Sequence, residues 1–145
     1  SSNFDICEYI ILKLLDEYKY TNSTICMLCK TSVARNVILE MSRNHITYQK
    51  VEMLNFNSNK VFGISASACI LVIKLSEERE SVGEVICEVK DFDKKLAIDT
   101  LIVSKNTIKT ASTKADLEGK CQLVWRQGVK HDCCKVMELD FKDGE

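Results

Sequence analysis

The sequence predicts an α/β fold built on one mixed sheet, and three observations carry that prediction. Apolar residues recur at spacings of three and four within residues 4–18 and again within 33–41, which marks two helices. An apolar run at 24–29 stands between them, so strand and helix alternate as in a partly parallel sheet. Two further apolar runs, 46–56 and 65–75, are only eight residues apart. A parallel crossover needs about a dozen residues or more, so these two pair antiparallel and close the sheet.

Each element follows from its residues. In the first helix Phe4, Ile6, Cys7, Ile10, Ile11, Leu14 and Leu15 share one face, with Ser2 or Asn3 as cap. Tyr20, Thr21, Asn22 and Ser23 make a turn, and the run 24–29 reads as a short strand buried on both faces, of the parallel type. Thr31 or Ser32 caps the second helix, whose apolar set is Val33, Val37, Ile38 and Met41 and which ends near Arg43 and Asn44. The second strand, 46–56, carries Val51, Met53 and Leu54, and Asn57, Ser58 and Asn59 form a loop before the third and longer strand. A charged loop at 77–81, an edge strand or extension at 83–89 and a solvated turn at 90–95 come next. Residues 96–103 fit strand or helix; 105–120 read as a linker with one helical turn near 114–117. Short strands at 121–125 and 135–139 around the loop 126–134 complete a C-terminal antiparallel hairpin and a small β-rich appendage. The chain thus divides into 1–104 and 105–145.

With 145 residues, 46% of them hydrophobic, the chain fills one core rather than two. Its 20 basic and 21 acidic residues leave no overall positive field, so any contact with nucleic acid must be local. No run reaches the roughly 18 apolar residues of a membrane span, and the opening Ser1-Ser2-Asn3-Phe4-Asp5 is no signal peptide. Among the eight cysteines, Cys7, Cys26, Cys29, Cys69 and Cys87 sit in apolar patterns as small core residues do, which points to reduced thiols and a cytoplasmic protein.

Several motifs carry little chemistry. Cys26 and Cys29 lie three apart on a strand, hence on opposite faces, and cannot share a metal. Cys121, His131, Cys133 and Cys134 are a better zinc candidate, although adjacent Cys133 and Cys134 diverge on an extended chain. Neither His45 nor His131 stands in a nucleophile pattern, and His45 suits a helix C-terminus. The five glycines are isolated, so no phosphate loop is present, and with no proline every proline-dependent motif is excluded.

Two places remain. Lys30, Thr31 and Ser32 occupy the carboxyl end of a strand where it opens into a helix, the usual position for ligands in α/β sheets. Phe62, in the turn Asn59-Lys60-Val61-Phe62-Gly63, either stacks on a base or plugs the hairpin. Arg126, Lys130, His131 and Lys135 form the densest basic stretch, suited to phosphates or simply solvated.

The order of these elements resembles the gamma-class DNA adenine-N6 methyltransferases of restriction-modification systems. The likeness is carried by Ser1-Ser2-Asn3-Phe4-Asp5-Ile6 leading into a helix, the segment 25–36, Asn59-Lys60-Val61-Phe62-Gly63 before a small-residue strand, and the segment 125–132 beginning Trp125-Arg126-Gln127. The resemblance implies a partial Rossmann-like methyltransferase sheet: the distal half of a catalytic domain over 1–104, and the passage into a target-recognition region over 105–145. It places the stacking aromatic at Phe62, with Lys30 and Thr31 at the base and Arg126, Lys130 and His131 on the DNA backbone. S-adenosylmethionine is the implied cofactor, held mostly outside this chain, with no catalytic and no metal residue within it. Implied partners are double-stranded DNA, an upstream half of the same protein and a restriction endonuclease, and no membrane. Because the Gly-rich cofactor loop and the Asn-Pro-Pro-aromatic motif are absent, the fragment is expected to be inactive alone. The alternative is a non-catalytic α/β interaction or nucleic-acid-binding module.

Overall fold

The structure, a computed structural model, describes residues 5–81 and 83–112. Its elements are α1 (Ile6–Tyr18), β1 (Thr24–Lys30), α2 (Thr31–Arg43), β2 (Tyr48–Phe56), α3 (Ser58–Phe62), β3 (Ala68–Leu75), β4 (Glu84–Asp91), β5 (Ala97–Ser104) and β6 (Thr107–Thr110). The six strands form one mixed sheet in the order β1-β3-β2-β4-β5-β6. Strand β3 runs antiparallel between β1 and β2, as the short 57–64 link requires, and β2 and β4 are parallel. The fold is mixed α/β.

The caps differ from expectation. Asp5, not Ser2 or Asn3, caps α1: its carboxylate accepts the Cys7 backbone N–H at 3.0 Å. Lys30 occupies the N-cap of α2 without a side-chain bond, displacing Thr31 and Ser32 into the first turn. The first backbone N–H of α2, on Thr31, instead donates to the Ser67 carbonyl at 3.1 Å. Asn57 is a cap rather than a loop residue, accepting from the Lys60 N–H at 3.0 Å, and Gly63 closes the single turn of α3 at φ +67°.

Among the described residues β1 is an edge strand paired only with β3, antiparallel, not the doubly buried parallel strand that its apolar run suggests. Ile25 and Cys29 are buried under the helices, whereas Cys26 and Leu28 are exposed on the other side. Apolar residues on both faces imitate a doubly covered strand, but among the described residues only one face is covered. Strand β4 corrects the opposite expectation, since it is interior, held by β2 on one side and β5 on the other. The loop 76–83 carries the chain from β3 past the start of β2 to reach it. Thr47, 4% exposed, anchors that loop by donating its hydroxyl to the Ser76 carbonyl at 3.2 Å and to the Glu78 carbonyl at 2.5 Å. Residues 97–104 are a strand, and β6 extends the sheet to Thr110, inside the stretch expected to be linker. Residues 113–120 and the two strands expected at 121–125 and 135–139 lie outside the described residues.

One face of the sheet carries the core. Helix α2 packs on β1, β3, β4 and β5, and α1 packs on β1 and α2. Ile11, Leu15, Val33, Val37, Ile38 and Met41 from the helices meet Val51, Met53, Leu71, Ile73, Val85, Cys87, Leu101 and Val103 from the strands. The alternate strand positions, including Leu28 and Ile86 at 52% and 48% exposure, face away from the helices. Among the described residues no helix is long and apolar enough to cross a membrane.

Among the described residues five cysteines, Cys7, Cys26, Cys29, Cys69 and Cys87, are free. A hydrogen bond from Cys29 to Cys69, its partner across β1 and β3, together with burial, holds the Cys29 thiol far above its ordinary value; burial pushes Cys87 up to about 12. Cys26 is exposed while Cys29 is buried, so the pair diverges.

Candidate functional site at the carboxyl rim of the sheet

Because β3 is antiparallel to its neighbours, Lys30, Ala68 and Phe56 are aligned across the sheet, and Asn55 is level with Asp91 of β4. The carboxyl ends of β1, β2 and β4 and the amino end of β3 therefore open on one rim. A cleft of about 480 Å³ lies there, within the usual range for small-ligand sites. Its floor is apolar, from Met53, Val89 and Leu101, and its walls are polar: Thr31 and Arg35 from α2, Asn57 capping α3 with Ser58 and Asn59 in its first turn, and Ser65 and Ser67 from the segment before β3.

Asn55 projects from β2 on the core side, in step with Val51 and Met53, and lines the cleft. Its side-chain Oδ1 is enclosed without a hydrogen-bond partner, the one such buried side-chain atom among the described residues. Among the described residues Arg35 supplies the only charge in the lining, and no carboxylate of these residues joins it there. Ser58, buried at the base of α3, donates its hydroxyl to the Ala66 carbonyl and so ties the two ends of the loop together.

Beside the cleft stands an aromatic group. Phe62, 54% exposed at the end of α3, meets Phe56 edge-on with ring centres 6.0 Å apart and a 71° interplanar angle. Phe56 in turn meets Phe92 at 6.3 Å and 67°. The Phe56 side chain follows Glu52 and Leu54 along β2, the positions that face away from the helices. Phe56 also borders the cleft, so it joins the aromatic group to the polar walls.

The residues expected at the site are distributed as follows. Thr31 lines the cleft. Lys30 does not; its ammonium lies 3.3 Å from the Asp5 carboxylate and links the end of β1 to the start of α1. The Cys7 backbone N–H, assisted by Lys30, holds the Asp5 carboxyl below the usual carboxylate range. Phe62 is outside the cleft lining and reaches it only through Phe56. Arg126, Lys130 and His131, like the Cys121, His131, Cys133 and Cys134 group, lie outside the described residues. Among the described residues no cluster of His, Cys, Asp or Glu side chains is arranged to hold a metal ion. Sequence reasoning passed over Arg35, Asn55 and Phe92. Asn55 was detectable, as a polar side chain two positions beyond Val51 and Met53 on an inward-facing register.

A mixed α/β sheet whose strand ends open on a polar cleft has the layout of a ligand-binding α/β protein. More particularly, the chain is similar to the type II methyltransferase M.NspV of Nostoc sp. (strain ATCC 29411 / PCC 7524), with 28% identity over 148 residues. The match covers 95% of this chain and 29% of that relative, so the chain spans less than a third of its length. This similarity supports a methyltransferase family. No family model matches the chain, and no solved structure does.

Proposed function

We propose that this chain is the distal part of the catalytic region of a DNA adenine-N6 methyltransferase of a restriction-modification system, transferring a methyl group from S-adenosylmethionine. The carrying observation is Phe62, an aromatic ring left 54% exposed at the rim, within a chain similar along 95% of its length to a type II methyltransferase. An enzyme acting on a base within a duplex must turn that base out of the stack and hold it against an aromatic face. In this reading Phe62 offers that face, backed edge-on by Phe56. Thr31 contributes a hydroxyl at the adjoining cleft, and Lys30 contributes its ammonium once released from Asp5. Residues 1–104 belong to the catalytic domain and 105–145 lead into target recognition, where Arg126, Lys130 and His131 contact the DNA backbone. The natural setting is the cytoplasm, with double-stranded DNA and a restriction endonuclease as partners.

The cleft does not fit the cofactor. A nucleoside ribose is typically held by a carboxylate, and among the described residues no carboxylate lines this cleft. S-adenosylmethionine and the acceptors for the adenine amino group are therefore assigned to an upstream half of the protein, and this part alone does not methylate.

The test uses the intact protein, radiolabelled S-adenosylmethionine and duplex DNA, with the products digested to nucleosides. N6-methyladenine is the expected product. Phe62→Ala is expected to lower kcat/KM by roughly 5- to 150-fold, the equivalent of about 1–3 kcal/mol of base stacking, and Phe62→Trp to retain most of it. A methylated cytosine as the only product, or full activity of the alanine variant, overturns the reading.

A further inference from the structure

We propose that the free edge of β1, roofed by α1, is the docking seam for a strand from the cofactor-holding part of the protein. The occupant rests on the methyltransferase reading, but the surface is defined by this chain's own geometry. The Leu75 N–H donates to the Ser23 carbonyl and the Thr31 N–H to the Ser67 carbonyl, at the two ends of an unbroken β1–β3 register. The odd-numbered residues of β1 therefore direct their backbone groups at β3, and the even-numbered ones point outward. Among the described residues the N–H groups of Thr24, Cys26 and Leu28 meet no acceptor there, and the Leu28 carbonyl meets the Cys7 thiol at 3.7 Å. Proteins guard such edges with short strands, charges, proline or bulges. The opposite edge, β6, is four residues long and polar. Strand β1 has seven residues, no irregularity in its register and no charge before its last residue, Lys30.

The second observation is the roof. Helix α1 rests on β1 and α2, with Leu12 and Asp16 on the crevice it shares with α2. On the opposite side Ile6, Ile10, Leu14 and Tyr18 follow one another at steps of four. Leu14 and Tyr18 overhang a groove of about 380 Å³ along residues 23–27, and Ile6, 68% exposed, continues the stripe with Ile10 into solvent. Cys26 and Leu28 are exposed on the other side of the same edge. Apolar groups thus stand above and below a row of unmatched backbone groups, the surroundings of a strand buried on both faces. A strand laid beneath α1 and parallel to β1 forms a βαβ unit, with α1 as its crossover helix. Its carboxyl end then opens on the same rim as Thr31, where a cofactor has to reach the base. The shared stretch is 29% of M.NspV, so most of that enzyme lies outside it. The occupant is the corresponding polypeptide here rather than a second copy of this chain.

The experiment follows amide hydrogen exchange in the intact protein, resolved to single residues by mass spectrometry. A free edge leaves an alternation: Met27, bonded to Leu71, exchanges slowly, while Cys26 and Leu28 exchange near the open-chain rate. A seated strand removes the alternation, and Cys26 and Leu28 are expected to slow by about 100-fold or more, to the level of Met27. The double variant Ile6→Glu, Ile10→Glu puts charge under the roof and is expected to restore fast exchange at Cys26 and Leu28, with Met27 still slow as the sign that the sheet is folded. Leu28→Lys, from the open side, is expected to speed Cys26 in the same way. Leu96→Ser, exposed in the turn after β4, changes none of the three. Alternating exchange in the parent overturns the proposal, as does protection of Cys26 and Leu28 that the charged variants leave intact. Protection that disappears on dilution together with a dimer in sedimentation also overturns it, by making the occupant a second copy. If the protein forms N6-methyladenine while Cys26 and Leu28 exchange freely, the seam fails and the methyltransferase reading stands. Uniform protection in a protein that methylates only cytosine keeps the seam and refutes that reading.

Discussion

Ser42 is a small residue with a large structural task, and its replacement by alanine gives a calculable outcome. It lies in the last turn of α2, 1% exposed. Its hydroxyl donates to the Gly83 carbonyl and accepts the Lys105 backbone N–H at 2.9 Å. One oxygen thus fastens α2 to the entry of β4 and to the β5–β6 turn. Gly83 is buried, so its carbonyl in the Ser42→Ala variant loses its partner without gaining water, at a cost of roughly 1–3 kcal/mol. Lys105 is exposed and its N–H turns to solvent, which adds about 0.5–1 kcal/mol. The expected total is about 2 kcal/mol, or a fall in melting temperature of roughly 6–10 °C for a folded unit of this size. Urea unfolding followed by circular dichroism measures it, with an unchanged m-value as the sign that the unfolded state is unaffected. Thr107→Ala, which removes an exposed hydroxyl bonded to Ser104, serves as control and should cost under about 0.5 kcal/mol. A Ser42→Ala midpoint within experimental error of the parent refutes the reasoning.

Two further outcomes follow from packing and charge. Leu71→Ala, at the centre of β3 with no exposed surface, is expected to cost about 3–5 kcal/mol, whereas Leu28→Ala on the open side of β1 should cost under about 1 kcal/mol; equal losses in chemical denaturation would show that both sheet faces are covered. Glu52 is held below the usual carboxylate range first by its hydrogen bond from Lys90 and then by Lys50, and Lys90 is correspondingly raised. A lowered carboxylate stabilises the fold above its unfolded value and loses that contribution as pH falls through the folded one. Glu52→Gln should therefore be less stable than the parent at neutral pH, and the two denaturation curves should converge in acid. A difference that persists undiminished to pH 2 contradicts this.

The sequence made the helices and the β2–β3 pairing legible because their signals are local. Val33, Val37, Ile38 and Met41 fall on one face at helical spacing, and eight residues cannot carry a parallel crossover. Strand placement within the sheet was harder to read, since it depends on partners distant in the chain. Leu28 and Cys26 made β1 look enclosed, because their apolar character says nothing of whether a layer covers them. Glu84 and Glu88 made β4 look like an edge, although it is central: an open sheet face tolerates charge in an interior strand as readily as at an edge. The caps depended on one-residue differences, and Asp5 prevailed over Ser2 and Asn3 because the helix starts two residues later than the apolar pattern does. At the site, Thr31 was recognisable from the strand-to-helix corner. Arg35 was not, since an arginine on the second turn of a helix reads as solvated surface until Asn55 and the 57–67 segment are placed opposite it.

The reversed direction of β3 also bears on how such a rim can diversify. Residues 57–67 leave β2 and re-enter the sheet at the same level, and most of their bonds are to each other: Asn57 with Lys60, Asn59 with Gly63, Ser58 with Ala66. Their outward ties are few, chiefly the Ser67 carbonyl to Thr31 and the ring of Phe62 on Phe56. The segment behaves as an interchangeable part. Its wording can be rewritten for a new ligand while the alignment of Lys30, Ala68 and Phe56 beneath it stays as it is.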